Sequence, residues 1–231
     1  CLVEGCYDDA YKKALELRDS KGYTFVHPFD DENVIAGQGT IALEILNDLD
    51  NIDAIVVPIG GGGLISGIAY TVKQIRPSVK VYGVQAAGAP SMFNSVKKGE
   101  IECLSGVSTI ADGIAVKQPG ENTFRYVSEY VDEVALVTDD EVASAILALI
   151  EKQKMIAEGA GATAVAAVMA GKFDLKGKRV VAVVSGGNID VTSLSRVIDR
   201  GLLNSGRSSS LLIELIDKPG QLKEISRIIA D

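Results

Sequence analysis

Two five-residue runs, AIVVP at residues 54–58 and VVAVV at residues 180–184, are apolar at nearly every position. A strand with one face in water alternates apolar and polar residues; a strand buried on both faces does not. Both runs are therefore expected inside a parallel sheet covered by helices. The intervening sequence alternates accordingly. Ala42, Ile45, Leu46 and Leu49 repeat at i, i+3, i+4 and i+7, a helical face. Residues 64–75 continue as a helix from the first run, and residues 79–84 read as a strand. Residues 90–98 and 121–130 read as helices, with a strand at 134–137. Thr138-Asp139-Asp140-Glu141 fits a capping box, opening a helix to about residue 156. Residues 158–162 interrupt it, residues 163–169 resume it, and residues 191–199 form another helix. Near the start, Asp8 is expected to cap a helix ending before Gly22, and residues 24–27 a short strand. The fold class expected is α/β, a doubly wound, mostly parallel sheet.

Composition narrows the function. Among 231 residues the net charge is −8, which argues against nucleic acid as a partner because phosphate-backbone binding needs surplus Lys and Arg. No apolar run approaches the ~18–20 residues of a membrane span, and the first residues lack the pattern of a signal peptide. Cys1, Cys6 and Cys103 are odd in number and form no C-x-x-C. They suggest neither a disulfide framework nor a zinc site, and read as small buried or half-buried residues in a reducing, cytoplasmic setting. The chain opens without Met on what reads as the tail of a strand and stops at Asp231 inside a helix. It is expected to be part of a longer protein. Residues 204–210 (NSGRSSS) read as a linker, followed by a strand at 211–216, a turn and a helix at 221–229.

Directly after the first apolar run stand four glycines, Gly60, Gly61, Gly62 and Gly63, and then Leu64. Strand, glycine turn and helix together suit an anion, because the first helical amides lack internal partners. A turn that merely packs helix on strand would be expected to need only one or two glycines. The dinucleotide spacing G-x-G-x-x-G fails at every frame, Gln85 stands where a ribose-binding carboxylate would, and no Gly-Lys-Ser/Thr follows. A cradle for one phosphate monoester remains, with a phosphorylated cofactor a natural occupant. The second run leads into Ser185-Gly186-Gly187-Asn188, where Ser185 can offer a neutral hydrogen bond to a bound ring or simply close a turn. A third turn sets Glu158 just ahead of a helix.

The segments PIGGGGLISG, TIADGIAV, EGAGATAVAAV and VVSGGNID, with HPFDDENVIAGQGTIALEIL, resemble the motifs of threonine dehydratases (threonine ammonia-lyases). These are fold-type II pyridoxal-phosphate enzymes related to serine dehydratase and serine racemase. The resemblance covers nearly all of residues 1–205, and LLIELIDKPGQLKEISRII is similar to the first strand and helix of an ACT regulatory domain. It implies residues 1–28 as the end of a small domain, 29–203 as the large cofactor-binding domain, 204–210 as linker and 211–231 as the start of the ACT-like module. It implies that Gly60, Gly61, Gly62, Gly63 and Leu64 cradle the cofactor phosphate, that Ser185 bonds the pyridine nitrogen, that Glu158 lies near the cofactor, and that Asp112 and Gly113 line the pocket.

The reaction implied is deamination of L-threonine to 2-oxobutanoate and ammonia, with serine as a secondary substrate. Serine racemase or dehydratase activity, or a non-catalytic ligand-binding fragment, are the alternatives. Two departures qualify the match. The Ser-x-x-x-Lys motif carrying the family's Schiff-base lysine does not occur, and Lys73, Lys152 and Lys154 read as solvated, so no catalytic residue is expected within this chain. Some racemase-like relatives hold a divalent metal with carboxylates at the positions of Gln85 and Ser91. Neither residue is acidic, so no divalent site is expected, while a monovalent cation held by carbonyls stays compatible. The resemblance also implies a homo-oligomer and a small effector, an amino acid in biosynthetic relatives and a nucleotide in catabolic ones.

Overall fold

The computed structural model describes residues 1–4 and 7–230. Four parallel strands form one sheet: β1 (Ala54–Pro58), β2 (Lys80–Ala86), β3 (Glu133–Val137) and β4 (Val180–Ala182), in the order β3-β2-β1-β4. Around it lie α1 (Tyr7–Lys21), α2 (Glu32–Asp48), α3 (Gly63–Ile75), α4 (Ser91–Lys98), α5 (Glu121–Tyr130), α6 (Asp139–Ala148), α7 (Gly159–Met169), α8 (Val191–Asn204) and α9 (Gln221–Ala230). β1 is buried throughout, and its side chains part by period two. Ile55 and Val57 enter an apolar layer with Leu46, Ile68 and Val127 from α2, α3 and α5. Ala54 and Val56 enter the opposite layer with Ile146, Ala164 and Val197 from α6, α7 and α8. Helices thus cover both faces of a parallel sheet, as AIVVP implied. The other run differs in degree: β4 is an edge strand of this sheet and its residues are only half-buried.

Local signals account for several boundaries. Asp31 caps α2, its carboxylate accepting from the amides of Asn33 at 2.8 Å and Val34 at 3.2 Å. Thr138 and Glu141 form the expected capping box at the start of α6. α5 has no capping side chain of its own, since Gly120 holds the cap position. Asp30 supplies the cap from elsewhere in the chain, accepting from Glu121 N at 3.1 Å and Thr123 N at 3.0 Å.

Other expectations are corrected. Residues 24–27 and 211–216 are not strands. Neither has a ladder partner among the described residues, and a strand is defined by its pairing. Residues 159–162 do not break a helix; they are the first turns of α7, with Glu158 as its cap. The break comes earlier, where α6 passes into a π-helical turn, Leu149–Gln153, and Lys154 turns left-handed at φ 58°. α1 already begins at Tyr7, so Asp8 lies within it. Cys1 and Cys103 are exposed rather than buried, and Cys6 lies outside the described residues. Lys73 is not solvated: its side chain is 16% exposed and its Nζ lies 2.7 Å from Asp132, which also binds Lys80 Nζ at 2.7 Å and Val81 N at 2.8 Å. Burial alone would raise the Asp132 pKa, but these three donors hold it below the usual carboxylate range. Among the described residues no helix is long and apolar enough to cross a membrane.

Backbones pack closely where α2 crosses α3. A Cβ on Gly67 would run into the Ile35 carbonyl and come within 2.6 Å of Gly39 N, and one on Gly39 would lie 2.6 Å from Thr71 Oγ1. Rigid backbone cannot yield as a side-chain tip can. Gly67→Ala is expected to destabilise the protein by about 2 kcal/mol or more through overpacking. Gly37→Ala, on the exposed side of α2 with open space around it, is expected to stabilise by roughly 0.5–1 kcal/mol. Urea unfolding of the two variants checks both signs.

Candidate functional site

The order β3-β2-β1-β4 means that the chain steps from β1 outward to β2 and β3, then returns to the other side of β1. The direction of winding reverses between β1 and β4. Loops leaving the carboxyl ends of two such strands diverge, and the crevice between them is where open α/β sheets bind ligands. The loop after β1 is the glycine run. The loop after β4 carries Ser185. Val183 N donates to Val56 O at 3.0 Å, which extends the pairing Val56↔Ala182 to two residues before Ser185.

The glycine loop is polarised. Its carbonyls are taken by protein donors: Gly61 O accepts from Thr123 Oγ1 at 2.6 Å, and Gly62 O from Ser66 N at 3.0 Å. The amides of Gly60, Gly61, Gly62, Gly63, Leu64 and Ile65 find no protein acceptor among the described residues. Gly61, Gly62, Gly63 and Ile65 are nevertheless buried residues. Buried amides need an acceptor, and these open the positive end of the thirteen-residue helix α3. A ligand group with several acceptor oxygens, such as a phosphate monoester, fits them.

Packing behind the loop corrects one expectation. All four glycines, not one or two, have a structural reason. A Cβ on Gly60 would lie 3.1 Å from Ile114 Cα; on Gly61, 2.5 Å from the Phe29 ring; on Gly63, 2.9 Å from Phe29 Cα. Gly62 has φ 102°, and a Cβ there would lie 2.7 Å from Met92 Cε and 2.8 Å from Thr123 Cβ. The glycine count therefore does not by itself imply a ligand; the unpartnered amides carry that inference.

Glu158 is half-buried and stitches the other loops together. Its amide donates to Gly186 O at 3.1 Å, and its Oε2 accepts from Asn188 N at 2.9 Å. Its Oε1 occupies the space a Cβ on Gly186 would need and lies 3.3 Å from a Cβ placed on Gly113. A Cβ on Gly161 would lie 2.5 Å from Gly186 O, so α7 sits directly against the Ser185 turn. Ser185 itself is exposed and its hydroxyl makes no hydrogen bond among the described residues. Asp112 and Gly113, in the 3₁₀ turn Asp112–Ile114, are exposed as well, while Ile114 backs Gly60 and packs with Ala86, Ala111 and Ala160. All the expected site residues thus gather at one end of the sheet.

Three residues that sequence reading passed over also belong here: Phe29, Asp30 and Thr123, which pack or bond behind the loop from distant parts of the chain. Only Phe29 and Asp30 lie within a stretch already singled out, HPFDDENVIAGQGTIALEIL. Lys73 stands apart, roughly 15 Å of helix from Gly63 at about 1.5 Å per residue. Gln85 and Ser91 are buried; Gln85 Oε1 accepts from Phe93 N at 2.8 Å, whereas Gln85 Nε2 and Ser91 Oγ have no partner among the described residues. Among the described residues no group of three or more His, Cys, Asp and Glu side chains could hold a metal ion.

A family profile for pyridoxal-phosphate dependent enzymes matches residues 1–186. The chain is 51% identical over 231 residues to an L-threonine ammonia-lyase of Thermotoga maritima, covering all of this chain and 57% of that protein. It is 49% identical over 226 residues to an L-threonine ammonia-lyase of Geobacter sulfurreducens, covering 97% of this chain and 56% of that protein. Among solved structures, the processed form of threonine deaminase isoform 2 from Solanum lycopersicum superposes with a TM-score of 0.84 at 40% identity, over 88% of this chain and 56% of that one. The chain spans a little over half the length of the curated relatives it matches.

Glu158→Ala is expected to free the turn at residues 185–188, since the amide of Asn188 loses a charged acceptor. A hydrogen bond to a charged group contributes about 1.5–3 kcal/mol, so exchange of that amide should quicken by about tenfold or more. Glu158→Gln, which keeps an acceptor oxygen, should stay closer to the parent. Amide hydrogen exchange at residues 185–188 makes the comparison.

Proposed function

Because this chain belongs to the pyridoxal-phosphate dependent enzyme family, we propose that it forms the cofactor-phosphate side of an enzyme that deaminates L-threonine to 2-oxobutanoate and ammonia, with L-serine as a secondary substrate. The observation that carries the reading is the row of unpartnered amides from Gly60 to Ile65 at the switch point beside Ser185. About half identity to two L-threonine ammonia-lyases supports the choice of substrate.

In this reading the amides of Gly60, Gly61, Gly62, Gly63 and Leu64 bind the phosphate and fix the register of the cofactor. When bound, pyridoxal phosphate supplies an electron sink that loosens the α-proton of the amino acid and lets the β-hydroxyl leave. Ser185 offers its free hydroxyl to the ring nitrogen; a neutral partner draws electrons less strongly than a carboxylate would. Glu158 keeps Ser185 in place by holding Gly186 and Asn188, and Gly113 leaves room for the Glu158 carboxylate. The lysine that binds the cofactor aldehyde and moves the α-proton lies outside this chain, because no lysine here has the family context and Lys73 is at the wrong end of α3. A monovalent cation held by carbonyls is compatible with the same reading. Residues 211–230 begin a regulatory module for an amino-acid or nucleotide effector, and the protein works as a homo-oligomer in the cytoplasm.

The test is product analysis with the full-length protein and pyridoxal phosphate. The expected result is 2-oxobutanoate from L-threonine, formed faster than pyruvate from L-serine. D-serine as the main product would instead assign a racemase.

A further inference from the structure

The stretch HPFDD precedes α2 and has no part in the chemistry above, yet it lies directly behind the glycine loop. His27 Nδ1 accepts two backbone hydrogen bonds, from Phe29 N at 3.2 Å and Asp30 N at 2.8 Å. A ring nitrogen that accepts carries no proton, so the imidazole acts here as an acceptor at the hub of a tight turn. Its orientation is fixed by edge-on aromatic contacts with Tyr11, Phe25 and Phe29, at centroid distances of 5.8, 6.1 and 4.6 Å.

The two amides that His27 gathers belong to the two residues that reach the loop. Phe29 lies against Gly61 with its ring and against Gly63 with its backbone, so closely that neither position has room for a Cβ. Asp30 caps α5 through Glu121 N and Thr123 N, and its carboxyl group fills the space a Cβ on Gly120 would need. α5 in turn presents Thr123, whose Oγ1 holds Gly61 O at 2.6 Å. One arm therefore presses on the back of the loop and the other pulls its carbonyl away from the crevice. A peptide plane is rigid, so fixing the carbonyl of Gly61 also fixes the direction of the Gly62 N–H.

We propose that His27 is a positioning residue for the phosphate loop: by organising residues 28–30 it holds Phe29 and Asp30 in place, and through them aims the free amides of Gly61 to Gly63 at the ligand. The proposal rests on the reading that this loop binds the cofactor phosphate.

The experiment measures the affinity of the full-length protein for pyridoxal phosphate and for pyridoxal, which lacks the phosphate, by equilibrium dialysis. His27→Ala is expected to weaken pyridoxal phosphate by about tenfold or more and pyridoxal by less than about twofold; His27→Asn, whose Oδ1 can stand where Nδ1 does, should return to within about threefold of the parent. Equal loss for both compounds, no loss for either, or failure of His27→Asn to rescue would overturn the proposal. Should His27→Ala not fold, Phe29→Leu serves in its place, with the same selective loss expected and the same results counting against it. Gly62→Ala separates the two levels of inference. If it leaves the preference for the phosphorylated compound intact, the phosphate reading itself fails; if it abolishes the preference while His27→Ala does not, only the role of His27 fails.

Discussion

The arrangement depends on a polarity in one loop. Between β1 and α3 the carbonyls of Gly61 and Gly62 are occupied by Thr123 Oγ1 and Ser66 N, while six consecutive amides are left without a protein acceptor among the described residues. That division is possible only because Phe29, Ile114, Met92 and Thr123 crowd the back of the loop, where side chains on the glycines would stand. The cost of leaving buried amides unpaired is about 1–3 kcal/mol each. In the proposed reading that cost pre-organises the loop, since its donors are already aimed when an anion arrives.

The sheet explains why this loop carries the candidate site. β1 is central and wholly buried, so its register is fixed on both sides, by β2 and by β4. The winding reverses beside β1, so the loops after β1 and β4 diverge at the kind of switch point where open α/β sheets bind ligands. Glu158 then ties the second of those loops to α7, and Ile114 ties the segment containing Gly113 to Gly60. The site is thus assembled from four separated stretches of chain on one rigid platform, the condition under which loops can be functional without being loose.

Much of this was legible in the residues because the signals were local. The apolar runs announced a parallel sheet, Thr138 and Glu141 announced the start of α6, and α5 has the bounds its pattern suggested. The errors have physical causes. Residues 24–27 and 211–216 have strand-like composition, but a strand needs a partner and local sequence does not say whether one is present. Gly159 and Gly161 look like helix breakers by propensity, yet Gly159 packs against the Ile110 carbonyl and Gly161 against Gly186, so close packing overrides the cost of glycine in a helix. The role of Asp30 as the cap of α5 spans about ninety positions and has no local trace. Four glycines in a row were an ambiguous signal, since packing alone accounts for each of them; what points to a ligand is the state of their amides, which only coordinates reveal.

The central claim is that the amides of Gly60 to Leu64 are the phosphate donors. Hydrogen–deuterium exchange of the full-length protein, with and without pyridoxal phosphate, reads those amides directly. Slowed exchange concentrated in the peptide spanning residues 58–67, with a smaller effect at residues 185–188, is the predicted result. Unchanged exchange at residues 58–67 while the cofactor protects another part of the protein would contradict the account.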